Sequence, residues 1–278
     1  MPGRLFLVAT PIGNLGDVTG RAIETLKAVH FIACEDTRHS RILLDHFGIA
    51  KPLVSLPAFA EGERAGPLLE RIAAGEDCAL VTDAGSPAIS DPGEKLVAEA
   101  LGQGIEVIPI PGPAALIAAL SASGLPTARF HFLGFLPRTQ SDAEAMLEEV
   151  KGLSATLILY ESPRRLGESL PRLLKILGDR RACVARELTK IHEEFVRAPL
   201  SELVQRYEGQ EVKGEVVVVI EGRSGEGRWP EDEVRRALAA GLAKGEKLKG
   251  LSTQLAALSG WPAKVLYRIG LAVGGKGP

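Results

Sequence analysis

Cys78-Ala79-Leu80-Val81 is an unbroken apolar run, and Thr82-Asp83-Ala84-Gly85-Ser86-Pro87-Ala88-Ile89-Ser90-Asp91-Pro92-Gly93 follows it directly. A short run that is apolar at every position, with no alternation, reads as a strand buried on both faces, as in a parallel sheet covered by helices. Such sheets bind ligands outside the carboxyl ends of their strands. The stretch after Val81 is built of small residues and two prolines, and it is longer than a bare turn requires. Small side chains leave backbone N–H and C=O groups open to a partner, so this loop suits a flat or zwitterionic small ligand.

The same pattern extends outward from this stretch. Leu5 to Ala9, Val29 to Cys34, Leu53 to Leu56 and Val107 to Ile110 read as further strands. Ile23, Leu26 and Val29 recur at helical spacing, as do Leu68, Leu69 and Ile72; Ile42, Leu43 and Phe47 mark another helix, and Asp91 to Leu101 reads as one more. Strand and helix in alternation predict an α/β lobe with a mostly parallel sheet over residues 1–123. Pro111-Gly112-Pro113 punctuates the chain, Ala114 to Ser121 is a small-residue helix, and Gly124-Leu125-Pro126 reads as a linker.

Beyond it, Phe130 to Leu136, Thr156 to Tyr160, Ala182 to Ala185, Phe195 to Ala198 and Val216 to Ile220 look like strands, with helices near Asp142 to Val150, Pro163 to Leu177 and Leu200 to Tyr207. Some of these strands follow one another with no helix between them. That predicts a mixed sheet and an α+β lobe over residues 124–224. A glycine-rich break at Arg223 to Gly227 opens the last part, 225–278, where Pro230 to Ala243, Leu251 to Ser259 and Pro262 to Val273 read as three short helices. From Val234 onward the charges are Arg235, Arg236, Lys244, Lys247, Lys249, Lys264, Arg268 and Lys276 against Glu246 alone. A compact basic helical module resembling a helix-turn-helix fits, and so does a solvated helical tail packed on the body.

The chain has 278 residues and a formal net charge of -2, so any nucleic-acid surface has to be a local patch. Cys34, Cys78 and Cys183 are far apart in apolar runs, which points to buried reduced thiols in a cytoplasmic protein and to neither a disulfide framework nor a metal site. The N-terminal residues read as the start of a strand and not as a signal peptide. No stretch reaches the roughly eighteen apolar residues of a membrane span. Asn14 is the only asparagine in the chain.

Several other polar loops follow predicted strands. Thr10-Pro11-Ile12-Gly13-Asn14-Leu15-Gly16-Asp17 is neither a dinucleotide fingerprint nor a P-loop, and reads equally as a site or a turn. Cys34-Glu35-Asp36-Thr37-Arg38-His39-Ser40 is dense in charge, with helix capping by Asp36 or Thr37 as the rival explanation. Ala114 and Ala115 open a helix whose small residues allow either ligand contact or tight packing on the sheet. Tyr160-Glu161-Ser162-Pro163-Arg164-Arg165 and Arg186-Glu187-Leu188-Thr189-Lys190-Ile191-His192-Glu193-Glu194 also sit at strand ends, the second with the charge alternation of a solvated hairpin.

Taken together, the segments Val8 to Asp17, Cys34 to Arg38, Thr82 to Gly93, Pro111 to Pro113, Tyr160 to Pro163 and Arg186 to Lys190 resemble the tetrapyrrole-methylase superfamily. They are most similar to its bacterial branch that methylates a cytidine ribose 2′-hydroxyl in small-subunit ribosomal RNA. Six segments in order are far more specific than any one. The superfamily's usual Gly-Asp-Pro is Gly85-Ser86-Pro87 here, which favours the RNA branch over a tetrapyrrole acceptor.

The resemblance implies a bilobal fold with S-adenosylmethionine in the cleft, near Pro11, Ala84, Gly85, Ser86, Ile89, Ala114 and Ala115 from the first lobe and near Tyr160, Glu161 and Leu188 from the second. It implies a homodimer acting on ribosomal RNA or the assembled small subunit. A sulfonium methyl is already activated, so no metal is chemically required, but a weakly acidic hydroxyl needs a base. Glu35, Asp36, Glu187 and Lys190 are the candidates, Lys190 provided burial lowers its pKa or else as a phosphate contact. Arg38 and Arg186 would grip the RNA backbone, and Asn14 would orient the ribose or cap a turn. The rival readings are a methyltransferase of the same fold acting on a tetrapyrrole or a protein side chain, and a non-enzymatic RNA-binding protein.

Overall fold

Residues 2–223, 229 and 231–274 are described by a computed structural model. Each unalternated apolar run near the N-terminus becomes a strand: β1 (Arg4–Val8), β2 (Phe31–Cys34), β3 (Leu53–Ser55), β4 (Cys78–Val81) and β5 (Glu106–Ile110). The helices between them are α1 (Gly20–Ala28), α2 (Thr37–His46), α3 (Glu61–Ala73) and α4 (Glu94–Gly102). The sheet is parallel throughout, in the order β3-β2-β4-β1-β5. β2 and β4 are buried at every residue, as their composition requires. Two apolar clusters, one centred on Leu5, Phe31, Leu69 and Leu80 and the other on Val8, Leu26, Ile32 and Val81, cover its two faces.

Two boundaries differ from the sequence reading for local reasons. Val29 ends α1 as its C-cap, so β2 begins at Phe31. Asp91 to Gly93 stay outside α4, because Gly93 has a positive φ of 134° that no helix allows.

A single helix, α5 (Ala115–Ser123), leads to the second sheet. That sheet is formed by β6 (Phe130–Phe135), β7 (Thr156–Glu161), β8 (Arg181–Arg186), β9 (Glu194–Pro199) and β10 (Val216–Ile220), in the order β6-β7-β10-β8-β9. Only β6 and β7 run parallel; the other pairs are antiparallel, so the sheet is mixed. One face carries α6 (Gln140–Val150), α7 (Leu166–Leu177) and α8 (Leu200–Tyr207) over a core that includes Leu159, Leu170, Leu203 and Val218. The opposite face takes α5: Leu116, Ala119 and Leu120 pack with Ile158, Cys183, Val217 and Ile12. The expected boundary at 123/124 groups α5 with the first lobe by chain position; its packing instead joins it to the second sheet, so α5 bridges the lobes.

The C-terminal helices are α9 (Glu231–Ala243), α10 (Leu248–Ser259) and α11 (Ala263–Val273). Val234, Leu238, Leu251, Leu255 and Leu266 form a separate core among them. Gly241 and Gly270 let the helices approach closely; a Cβ on Gly241 would lie 2.6 Å from Leu251. Residues 224–228, Pro230 and Lys276, named above in the glycine-rich break, the helix start and the basic series, lie outside the described residues.

Candidate active site

Because β4, β1 and β5 are neighbours, the loops that leave their carboxyl ends are neighbours too. The loops after β1 and β4 are tied by an antiparallel bridge: Thr10 N–H donates to Gly85 O at 2.8 Å, and Gly85 N–H to Thr10 O at 3.1 Å. Ser86 Oγ donates to Pro113 O at 3.2 Å and ties the loop after β4 to the loop after β5. Glu61, buried at the start of α3, accepts from Gly93 N–H and Leu96 N–H at 3.0 Å each, anchoring the far end of the 82–93 loop and capping α4 from outside. Between these anchors the loop bends sharply, with positive φ at Gly85, Ala88, Ser90 and Gly93. Ala88 and Ser90 are strained there, since only glycine adopts this region freely.

These loops face the second sheet across a cavity of about 660 Å³. Ala84, Gly85, Ser86, Ile89, Ala114 and Ala115 line it from the first side and Tyr160, Glu161 and Leu188 from the second. Ile12 lines it as well, whereas its neighbour Pro11 is buried and does not. Tyr160 Oη accepts from Leu116 N–H at 3.3 Å, linking β7 to the open N-terminus of α5. The Glu161 carboxylate is 2% exposed and turned to its own lobe: it accepts from Ser162 N–H at 2.7 Å and Ser169 Oγ at 2.5 Å, and pairs with Arg165 at 3.6 Å. It contributes to the cavity wall as a fixed structural carboxylate.

The residues read as chemically active occupy several distinct settings. Asp36 caps α2 by accepting from Arg38 N–H at 2.8 Å and pairs with the Arg38 guanidinium at 3.2 Å, which holds its carboxyl below the usual range. Asn14 Oδ1 accepts from Gly16 N–H at 2.9 Å and so caps the short turn at Leu15–Asp17. Its side chain is committed to the turn. Glu35 is half-buried, and burial pushes its carboxyl up, with further repulsion from Asp83 and Asp36.

The second lobe supplies a further setting. The loop between β8 and β9 is a hairpin connection, with positive φ at Glu187 and Thr189. Lys190 Nζ lies 2.9 Å from both Glu187 Oε1 and Glu215 Oε2, and Glu187 Oε1 also accepts from Glu215 N–H at 3.0 Å. Burial pulls the Lys190 ammonium down, but the hydrogen bonds and charges of Glu187 and Glu215 outweigh it and leave the group above its usual value. Lys190 is thus held as a cation and is a poor base, while its bond to Glu187 keeps that carboxyl low. The Lys190 stem crosses the first lobe's loop, where a Cβ on Gly13 would lie 2.5 Å from Lys190 Cγ. Arg186 pairs with Glu194 at 3.2 Å.

Three acidic residues in the cavity wall, Asp83, Asp91 and Glu215, are not among the candidates read from the sequence. Asp91 is pushed up to about 6, chiefly by burial and then by repulsion from Glu35 and Asp83. The sheet order explains the grouping: β2 lies beside β4, so Glu35 at one strand end meets Asp83 and Asp91 from the other. Asp83 Oδ1 is buried with no hydrogen-bond partner among the described residues. None of the described His, Cys, Asp or Glu residues group as a metal site, and no described helix is long and apolar enough to cross a membrane.

Comparison with known proteins accounts for this architecture. Residues 4–204 match the family of Tetrapyrrole (Corrin/Porphyrin) Methylases. The ribosomal RNA small subunit methyltransferase I of Halalkalibacterium halodurans is 47% identical over 277 residues, covering 96% of this chain and 94% of its own length. The protein of the same name from Synechocystis is 46% identical, covering 97% and 98%. Among solved structures, a diphthine synthase superposes with a TM-score of 0.64 at 18% identity, over 80% of this chain and 91% of its own, a likeness of fold alone.

The methyl donor of such an enzyme is S-adenosylmethionine, and the residues present fit it. Small-residue loops give close backbone approach, Tyr160 and Leu188 stand opposite them, and the carboxylates near Asp83 suit a cationic sulfonium. By its sequence over nearly its whole length and by the two-lobed fold around this cleft, the chain belongs to the tetrapyrrole-methylase family, in the ribosomal RNA small subunit methyltransferase I group.

Proposed function

We propose that this protein methylates the 2′-hydroxyl of a cytidine ribose in the decoding region of small-subunit ribosomal RNA, as the sequence resemblance implies. The relatives' names support ribosomal RNA as the acceptor. The observation that carries the chemistry is the cavity itself, which joins a small-residue donor wall to a carboxylate held near neutrality.

In this reading Ala84, Gly85, Ser86, Ile89, Ala114 and Ala115 hold the donor, with Ile12 in the place expected for Pro11, and Tyr160 and Leu188 close the opposite wall. S-adenosylmethionine supplies a methyl group already activated by its positive sulfur. The protein's part is to align the acceptor oxygen, exclude water and take the hydroxyl proton. Asp91 takes that proton, with Glu35 beside it as the second candidate, because a base works best when its pKa lies near the working pH. Asp36 and Glu187 are held low by their cations and Lys190 is held charged, so these three serve the rim. Lys190, Arg186 and Arg38 face the RNA backbone there.

The test uses small ribosomal subunits lacking the modification and S-adenosylmethionine with a labelled methyl group, followed by nuclease digestion and mass spectrometry. Label on a single cytidine ribose in the decoding region is the expected result. Donor binding with no label in the RNA would move the acceptor to another substrate class.

A further inference from the structure

Aromatic residues are scarce in this chain, which has eight phenylalanines and three tyrosines, yet three phenylalanines stand on one short strand. Phe130, Phe132 and Phe135 of β6 all line the cavity. In a regular strand Phe132 and Phe135 would point to opposite faces, since side chains alternate. The pairing with β7 shows why they do not: Phe132 is opposite Ile158 and Phe135 opposite Tyr160, so three steps on β6 match two on β7. The extra residue is a bulge, and Gly134, with φ 65°, takes the left-handed conformation within it. The bulge turns Phe135 onto the cavity side, next to Phe132, while Leu133 packs into the core behind the sheet.

β6 is also an edge strand, so this aromatic row lies at the border of the second sheet. Phe130 is 43% exposed and Phe135 52%, unusual for large apolar side chains placed by a built feature. Tyr160 meets Phe132 at 69° and Phe135 at 62°, with centroids 4.9 and 5.5 Å away; it props the rings and does not lie flat on either. Phe132 packs partly into the core beside α5, so Phe130 and Phe135 carry the exposed ring surface; exposed rings are the surface on which unpaired bases stack, and that stacking tolerates any base because each has a π-face.

We infer that the bulged aromatic row of β6, Phe130, Phe132 and Phe135, is a stacking subsite for an unstacked nucleobase of the RNA substrate. The inference rests on the RNA acceptor proposed above. A ribose hydroxyl inside structured RNA cannot enter a cleft unless its nucleotide leaves the stack, and the displaced base then needs a platform. The small-residue loops occupy the first-lobe wall, which leaves the more exposed second-lobe rings to the larger substrate.

The experiment compares the full chain with Phe135→Ala, Phe130→Ala and Phe135→Tyr. Donor affinity is measured by calorimetry with S-adenosylmethionine alone, RNA affinity by anisotropy of a fluorescein-labelled single-stranded oligocytidine, and transfer with unmodified small subunits. The alanine variants should weaken RNA binding and raise KM for the subunits by about five- to a hundredfold. Donor affinity should stay within about twofold, and Phe135→Tyr, which keeps the ring, should restore RNA binding. A matching loss of donor affinity would assign the row to the donor's adenine, and unchanged affinity for both would make it packing; either result overturns the inference. Wild-type protein that transfers no label to RNA would instead overturn the acceptor reading, a separate failure.

Discussion

Whether a carboxylate at this site can accept a proton depends on whether a cation stands beside it. Asp36 has Arg38 and Glu187 has Lys190, and both carboxyls lie below their usual range. Asp91 makes no ion pair among the described residues and faces Glu35 and Asp83, which, with burial, push it to about 6. The transfer rate of the wild-type protein should therefore rise with pH through about 6. Asp91→Asn should lose that limb and about 10²- to 10⁴-fold in rate; a limb that survives in the variant would give the proton to Glu35. The same shift has a stability consequence. Asp91 is held above its unfolded value, so its contribution to stability is intact below about pH 4 and is lost as pH rises through about 6. Asp91→Asn should be more stable than wild type at pH 8, by on the order of 1–3 kcal/mol, and no more stable at pH 4, as read by urea denaturation at each pH. Sequence alone does not mark Asp91, because it is one of two acids in a loop of small residues. Only the placement of β2 beside β4 brings Glu35 up to it. Lys190 was legible as a polar residue at a strand end, but its charge state depends on Glu215, which lies 25 residues away in sequence.

At the scale of elements, the parallel strands were legible because burial on both faces leaves a continuous apolar run, and the loops because polar residues or small residues with glycine and proline follow each strand end. The bulge in β6 had one signal, a glycine inside an apolar strand, at Gly134. The packing of α5 had none: Ala115–Ser123 is small and apolar apart from Ser121 and Ser123 and has no distinct polar face, so periodicity cannot tell which sheet it covers. The anchoring of the donor loop gives a prediction of its own. Glu61 joins α3 to both Gly93 and Leu96. Glu61→Ala would leave those N–H groups without an acceptor and should cost about 2–4 kcal/mol in denaturation experiments, with Glu61→Gln costing less because its amide oxygen still accepts. Calorimetry should show donor affinity falling together with stability, as the 82–93 loop loses its far anchor. The hairpin loop between β8 and β9 is fixed differently, by the close crossing of Lys190 over Gly13. Gly13→Val should displace that stem and speed hydrogen exchange at 187–193, while exchange in the core strands β4 and β10 stays slow.

At the scale of the whole molecule, a two-lobed body is followed by a helical module with a core of its own. The family match ends at residue 204, and the helices beyond 229 are built around their own core. Their charge is less lopsided than the residue list implies, because Arg235 pairs with Glu231 and Arg236 with Asp232 along α9. Lys244, Lys247, Lys249, Lys264 and Arg268 remain without an ion pair among the described residues. Five such cations would add phosphate contacts to those proposed for Arg38, Arg186 and Lys190. The cores of both sheets are complete without the module, so a chain ending at residue 223 should fold and bind S-adenosylmethionine with affinity within about twofold of the full chain. Each phosphate contact contributes about 0.7–0.9 to the slope of log affinity against log salt, so the truncated chain should bind RNA more weakly and lose about 2–4 from that slope. A slope that does not change would mean that the module's cations never meet phosphate, and that the rim of the cleft carries the whole electrostatic contact. A loss of donor affinity would mean that the module supports the cleft itself, and the division into body and module would fail with it.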